Sequence, residues 1–453
     1  MRTLRFFAVL IATLVVAACT LGPDYKQPVV PVPDTHRGAD EARGSSASLA
    51  DVQWFELFRD DTLTQLVNAA LKENFELRIA AERVLQARAA YGITRSAQFP
   101  SADASADFIG SRASRRGANR IPEGVDTSVS YTQMGFTLGW EVDVWGRLRR
   151  LSEAARAQYL ATEEARHGVT TTLVADVSQT YLAVRALDLE LQVARRTRDA
   201  ACSPRFDEAQ QLLYTASGEI ASLEREIAQA ENALSLLLGR VPGEVPRGRA
   251  LEAFDAPPAV PAGLPSALLE RRPDVRQAEQ ELIAANAQIG AAKAEYFPRI
   301  SLTGFLGVQS RALSTLLSGP AALAAGSVGA AAPVFNGGRT RANVQLAEAV
   351  QRELLVNYQR TIYSAFRDVS DALADHSKTK EQRGEQERLV QTLNESVRLA
   401  TQRYEGGLDS YLPVLDAQRN LFQGELELAR LRERELTSIV QLYRALGGGW
   451  TQG

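Results

Sequence analysis

Histidine is scarce in this chain: three residues among 453, at positions 36, 167 and 376. They stand singly, without the spacing of a metal site, and Gly337-Gly338-Arg339 lacks the strand-to-phosphate-loop context of a nucleotide-binding turn. The carboxylates lie on helix faces, where solvation explains them. No enzyme chemistry and no cofactor are expected. Cysteine is scarcer still, with only Cys19 and Cys202. A lone Cys202 in a mature exported chain has no intrachain partner and reads as a free thiol. The formal charge of −3 offers nothing to nucleic acid. Beyond the N-terminus no apolar run approaches the roughly 20 residues of a membrane-spanning helix. Any membrane span in the mature protein therefore has to be β.

The N-terminus sets the compartment. Arg2 and Arg5 precede an apolar stretch, Phe6 to Val16, that is too short to span a membrane comfortably. Val16-Ala17-Ala18-Cys19 follows. Small residues before a cleavage point mark a secretory signal peptide, here residues 1–18. A Cys immediately after them resembles a bacterial lipobox, which makes Cys19 the acylated first residue of the mature chain. The alternative is an ordinary signal with an incidental Cys. Residue 20 is Thr rather than Asp, so retention at the inner membrane is not expected and the outer membrane is the destination.

The rest of the chain is an internal repeat. At an offset of 198, Arg78 matches Arg276, Gly92 matches Gly290 and Phe99-Pro100 matches Phe297-Pro298. At an offset of 192, Gly146-Arg147 matches Gly338-Arg339 and Asp176-Val177 matches Asp368-Val369. The predicted organisation is a linker over 19–61, a first repeat over 62–239, a second linker over 240–265, a second repeat over 266–447 and a tail over 448–453. Each repeat opens with an Ala-rich helix (about 62–96 and 266–296) that ends at Phe-Pro, since Pro disfavours helix in the residue before it. Strands follow at about 97–110 and 127–144, then 298–309 and 323–335, and each repeat closes with a helical hairpin, 146–239 and 338–447.

The strands alternate. Met134, Phe136, Leu138, Trp140, Val142 and Val144 interleave with Gln133, Gly135, Thr137, Gly139, Glu141 and Asp143. Such a dyad repeat suits a membrane strand, apolar to lipid and polar to a lumen, and also a half-buried soluble sheet. The lipobox and the aromatics at strand ends (Tyr131, Trp145, Phe99, Phe297, Phe335) favour the membrane. Four strands cannot close a barrel, and an open edge in lipid leaves backbone groups unpaired. Three protomers supply twelve strands and room for a pore. The helices carry heptad steps: Leu173, Val177, Thr180, Val184, Leu187, Leu191 and Ala194 in one, Phe422, Leu426, Ala429, Glu433, Leu436, Val440 and Tyr443 in another. A second flank, Leu421, Leu428 and Leu442, suits a ring of helices.

These residues resemble the outer membrane factors, TolC-like, in the OprM-like branch of efflux lipoproteins. The matching stretches are Cys19-Thr-Leu-Gly-Pro-Asp-Tyr25, Gly139-Trp-Glu-Val-Asp-Val-Trp-Gly-Arg-Leu148, Ala230-Glu-Asn-Ala-Leu-Ser-Leu-Leu-Leu-Gly-Arg240, Glu270-Arg-Arg-Pro-Asp-Val-Arg276, Phe366-Arg-Asp-Val-Ser-Asp-Ala-Leu373 and Arg403-Tyr-Glu-Gly-Gly-Leu408. The resemblance implies a mostly α fold with membrane β: a homotrimer whose twelve-strand barrel in outer membrane lipid continues into a periplasmic α-helical barrel. It implies the exit duct of a tripartite efflux pump, passing small molecules such as drugs, with a periplasmic adaptor (membrane fusion protein) and an inner-membrane transporter of the RND type as partners. Residues 20–60 and 240–265 become an irregular belt around the tunnel. Gly406, Gly407, Leu408 and Ser410 become the adaptor-contact tip, and Leu412, Asp416, Arg403 and Tyr404 the pore gate. The outer membrane component of a type I protein secretion system stays open as an alternative, as does a structural coiled-coil lipoprotein that does not conduct; the alternating strands argue against the spacer.

One departure stands out. From Asp368 to Arg403 is 35 residues, but from Asp176 to Arg205 only 29; from Arg403 to Gly447 is 44, but from Arg205 to Gly239 only 34. The first hairpin is 16 residues shorter and lacks a Gly-containing tip, which the resemblance implies for both copies. Shared between two arms, the loss is about eight residues each, or roughly 12 Å.

Overall fold

The computed structural model describes residues 20–37, 49, 58–118, 121–202, 207–254 and 265–448. The signal peptide, Cys19, residues 38–48 and 50–57 of the first linker, Arg205, residues 255–264 of the second linker and the tail beyond 448 lie outside the described residues. The chain divides into two compact units. One comprises residues up to 28, 85–160 and 280–356; the other comprises 29–84, 161–279 and 357–453.

The first unit is built on one antiparallel sheet, β1 (Ser101–Arg112), β2 (Ser128–Val142), β3 (Arg299–Ser310) and β4 (Ala322–Ala331), in the order β1-β2-β3-β4. The strands of the two repeats thus pair with each other through β2 and β3. Register turns the alternation of single strands into two continuous faces. Ala104, Phe136, Leu306 and Ala324 stand in one row, and Ala106, Met134, Val308 and Ala322 in the next. Leu302 and Ile300 pair with Val328 and Ala330 on that same face, whereas Phe305 and Leu323 fall on the other. The large side chains of the shared face are open to the surroundings: Phe136 is 57% exposed and Leu306 62%. Opposite lie Ser101, Asp103, Gln133, Thr137, Ser301, Thr303 and Ser327. β4 stops at Ala331 rather than 335, because Pro333 has no N–H for the ladder. Indole nitrogens tie down the sheet's ends: Trp140 Nε1 donates to the Gln98 carbonyl at 3.0 Å and Trp145 Nε1 to that of Pro298 at 2.8 Å. The segment after Cys19 lies here too. Leu21 N–H donates to Trp145 O, and Arg150 reaches Leu21 O and the Asp24 carboxylate at 2.7 Å.

The helices are α1 (Asp61–Glu73), α2 (Phe75–Ser96), α3 (Arg147–Ala201), α4 (Asp207–Leu237), α5 (Pro273–Ala294), α6 (Arg339–Glu405) and α7 (Leu412–Ala445), with one helical turn at Leu268–Arg271 before α5. Among the described residues no helix is long and apolar enough to cross a membrane. The single opening helix expected in each repeat is broken in both. Asn74 interrupts the first with a β-region ψ of 133°, and its side chain caps α2 by accepting from Leu77 N–H at 3.0 Å. Arg272 interrupts the second, just before Pro273.

The second unit shows why the breaks recur. Asn74 Nδ2 donates to Leu237 O at 2.8 Å, and Arg272 Nη1 to Ala445 O at 3.0 Å. Each break residue thereby satisfies a carbonyl left open at the last turn of its repeat's returning helix. Both returning helices then end on a left-handed glycine, Gly239 (φ +68°) and Gly447 (φ +81°), in Schellman bonds from Arg240 N–H to Ser235 O and from Gly448 N–H to Tyr443 O. A Cβ on Gly239 would stand 2.3 Å from Glu73 O. Around this joint lies the core, including Val67, Ala70, Val177, Tyr181, Leu182, Ile439 and Leu442.

Below the joint the repeats diverge. The stripe of α3 through Leu173, Val177, Val184, Leu187 and Leu191 corresponds to Ala365, Val369, His376, Thr379 and Arg383 on α6. What is aliphatic on one arm becomes polar on the other. His376 and Thr379 are nonetheless buried, with His376 Nδ1 3.0 Å from Ser438 Oγ. Arg383 pairs with the buried Glu435, and Gln386 Nε2 donates to Gly424 O at 2.9 Å. Nor is the shortening shared as expected between helices. The outgoing helix has 55 residues against 67, whereas the returning one has 31 against 34.

Candidate functional site

The reversal between α6 and α7 gathers the residues expected to form the tip and gate. It is built by the same chemistry as the helix ends above. Gly407 takes φ +69° as the left-handed residue, Gly407 N–H donates to Tyr404 O, and Leu408 N–H donates to Arg403 O, each at 2.9 Å. No atom lies within 4 Å of a Cβ built on Gly407, so glycine is required here by backbone and not by crowding. Leu408 is 72% exposed, and Gly406 and Ser410 are also open. On the far side Pro413 occupies the first turn of α7, where its missing N–H is harmless.

Two contacts brace the turn. Arg403 Nε donates to Asp409 Oδ2 at 2.5 Å, and this bond holds the Asp409 carboxyl below its ordinary range. The rings of Tyr404 and Tyr411 meet edge to face with centroids 5.1 Å apart. Arg403 and Tyr404, expected to latch the gate, thus each have a partner inside their own turn. Leu412, first residue of α7, is 64% exposed, whereas Val414 and Leu415 are buried. One turn on, Asp416 Oδ1 accepts from Arg419 Nη2 at 2.6 Å, and Asn420 Nδ2 lies 3.4 Å from its other oxygen. The charge of Asp416 is therefore answered on its own helix. Sequence reading missed Asp409, Tyr411 and Arg419. Arg419 was legible as a partner three residues along a helix; Asp409 and Tyr411 were not, because a turn has no fixed period.

The other titratable groups are dispersed. His36 is buried, its ring 6.4 Å from that of Phe366 and its pKa lowered by burial. His167 lies 3.3 Å from Glu164. Among the described residues no three His, Cys, Asp or Glu are grouped to hold a metal. Cys202 is free and exposed.

The sheet with one open apolar face, the paired repeats and the long hairpin define a fold that can be compared. The family described as Outer membrane efflux protein matches residues 66–203 and 264–448. The chain belongs to that family. It is 39% identical over 463 residues to the solvent efflux pump outer membrane protein SrpC of Pseudomonas putida, covering 97% of each chain. It is 35% identical over 456 residues to the cation efflux system protein CusC of Escherichia coli, covering 96% of this chain and 97% of CusC. Among solved structures, the open state of the MtrE outer membrane channel of Neisseria gonorrhoeae superposes with a TM-score of 0.87 at 31% identity, over 95% of this chain and 99% of MtrE. This efflux protein acts as an outer membrane channel, and the efflux reading stands over protein secretion. Its family is one of ducts rather than enzymes.

Proposed function

We propose that this outer membrane efflux protein works as a lipid-anchored homotrimer, the exit duct of a tripartite pump. The observation that carries the reading is the four-stranded sheet. Its two edge strands, β1 and β4, each have one in-chain neighbour, and its exposed face is apolar across all four strands. In lipid both edges require partners. Three copies joined β4 to β1 satisfy every edge in a closed twelve-strand barrel, apolar outward and lined mainly by Ser, Thr, Gln and Asp, with Phe305 and Leu323 among them. The α-helices of the three copies then form the periplasmic tunnel. Thr20, the residue after the proposed acylated Cys19, lies against Gly146 at the end of the sheet, which suits an anchor in the inner leaflet of the outer membrane.

In this assembly the turn at Gly406, Gly407, Leu408 and Ser410 meets the hairpin of a periplasmic adaptor, and Leu412 and Asp416 narrow the pore just inside it, with Arg403 and Tyr404 bracing the turn. The adaptor joins the duct to an inner-membrane transporter, probed first with RND pumps. SrpC is named for solvents and CusC for cations; a duct with so polar a lining passes whatever small molecules its pump delivers. The test is drug susceptibility of an efflux-deficient host carrying the pump, its adaptor and this chain, with Gly407→Pro as comparison. Restored resistance by the native chain and loss by the variant are expected. Failure of the native chain with every pump pair, despite trimers in the outer membrane, overturns the reading.

A further inference from the structure

We infer that the first hairpin ends short of the gate, so that the constriction is built by three hairpins instead of six and the resting duct stays permeable to ions. This rests on the trimeric channel proposed above. Two ion pairs set the level of α3 against α7. Arg430 Nη2 lies 2.9 Å from Glu190 Oε2, and Arg196 Nη2 lies 2.5 Å from Glu425 Oε2. Beside them, Val193 and Ala194 join Phe422 and Leu426 in one buried cluster with Ala216, Ile220 and Leu223 of α4. The helices run antiparallel, so Ala201, where α3 ends, comes level with about Asn420, and α4 begins six residues later at Asp207. Leu412, Asp416, Arg403 and Tyr404 all lie beyond that level. Eight residues of α7, roughly 12 Å at 1.5 Å each, overhang together with the tip.

The flank that α3 covers continues into the overhang, where Leu415 is still buried and Leu412 is open. Phe422 and Leu426 are buried in the shared cluster; stepping outward by heptad spacing reaches Leu415 and then Leu412, which is open. Leu399 and Leu408 are open as well.

Geometry decides whether the long hairpins can close the space alone. Twelve helices about 9–10 Å apart make a ring of radius roughly 18 Å, and six make one of roughly 9 Å. Closing would demand an inward shift of about 9 Å within the 12 Å overhang. α6 is one unbroken helix from Arg339 to Glu405. Curving at a radius of about 60 Å, it deflects only about 1 Å over that length. Three gaps, each about two helices wide, remain between the tips, and hydrated ions pass through them around the ring of Leu412 and Asp416.

Conductance of the purified full-length trimer in planar bilayers tests this. The comparison is a chain whose first hairpin is lengthened to match α6 and α7. The native chain is expected to conduct at rest, and the lengthened chain at least fivefold less, with Asp416→Ala reopening the latter. Equal conductance of native and lengthened trimers overturns the inference. If the lengthened chain does not assemble, the native chain carrying Leu412→Ala and Asp416→Ala decides: a rise of fivefold or more means that the native gate was sealed and the inference is wrong. Trimers that conduct in no form remove the channel reading itself, and this inference with it.

Discussion

The two repeats are most alike where the hairpins begin and least alike where they turn. At the root, residues 74 and 272, at the repeat's own offset, differ in kind yet donate to corresponding carbonyls, Leu237 and Ala445. An amide and a guanidinium do one job because what the fold needs there is a donor for a helix end that cannot be left bare. At the tip only the second repeat has a glycine reversal, and only it extends past the level of Asn420. The root joins segments far apart in sequence, so changes there are felt by the whole core. A tip meets little of its own chain and can be shortened without disturbing that joint. In between, the aliphatic stripe of α3 is replaced by a polar one in α6, giving the longer hairpin a seam of polar pairs with α7 where the shorter has hydrocarbon.

Matched substitutions sharpen this contrast. Arg272→Ala leaves Asp274 without its cation, Asp368 with Arg367 alone and Ala445 O without its donor, and about 3 kcal/mol of stability should be lost. Asn74→Ala, losing a cap and one hydrogen bond, should cost about half of that, roughly 1.5 kcal/mol; chemical denaturation of the two variants measures the ratio. Gly239→Ala and Gly407→Ala place the same methyl at nearly the same φ. The first drives it into Glu73 O and should cost about 3 kcal/mol, the second meets nothing and should cost about 1 kcal/mol. Equal losses would mean that root and tip are coupled as one cooperative unit.

Smaller effects come from protons. Burial holds the His376 imidazole below its usual pKa, so the unfolded chain takes up a proton first. The neutral side chain's contribution is complete above about pH 6.5 and is lost as pH falls through the lower folded value. His376→Val, which installs the residue found at the matching position 184, should flatten the fall in thermal midpoint between pH 7 and pH 5. At the tip the sign is that of a carboxylate. Asp409 has a lowered pKa beside Arg403, so the brace persists down to that lowered value and vanishes below it. Hydrogen exchange at Leu408 and Asp409 should speed up in Arg403→Ala at neutral pH and match the native chain in strong acid.

Much of this was legible beforehand, for identifiable reasons. The alternation in β2 marked a strand because its period reports a local geometry, and Pro298 bounded one because proline acts on its own backbone; Pro333, which stops β4, was passed over. Gly406-Gly407 showed as a reversal for the same reason. The breaks at Asn74 and Arg272 did not show. Pro273 disfavours helix at Arg272, but the carbonyls that the two break residues serve lie 163 and 173 positions away. Likewise Leu302 and Val328 could not be seen to share a face until register aligned them.

By itself the sequence determined the repeat, the strand and helix periods, the glycine reversals and the shortened first hairpin, all of them properties of neighbours along the chain. Only the tertiary structure decided which carbonyls the break residues serve, that Asp409 braces Arg403, and how far out along α7 the first hairpin reaches. Each of these depends on distances between segments remote in sequence, and those are set by how side chains fill the space between them.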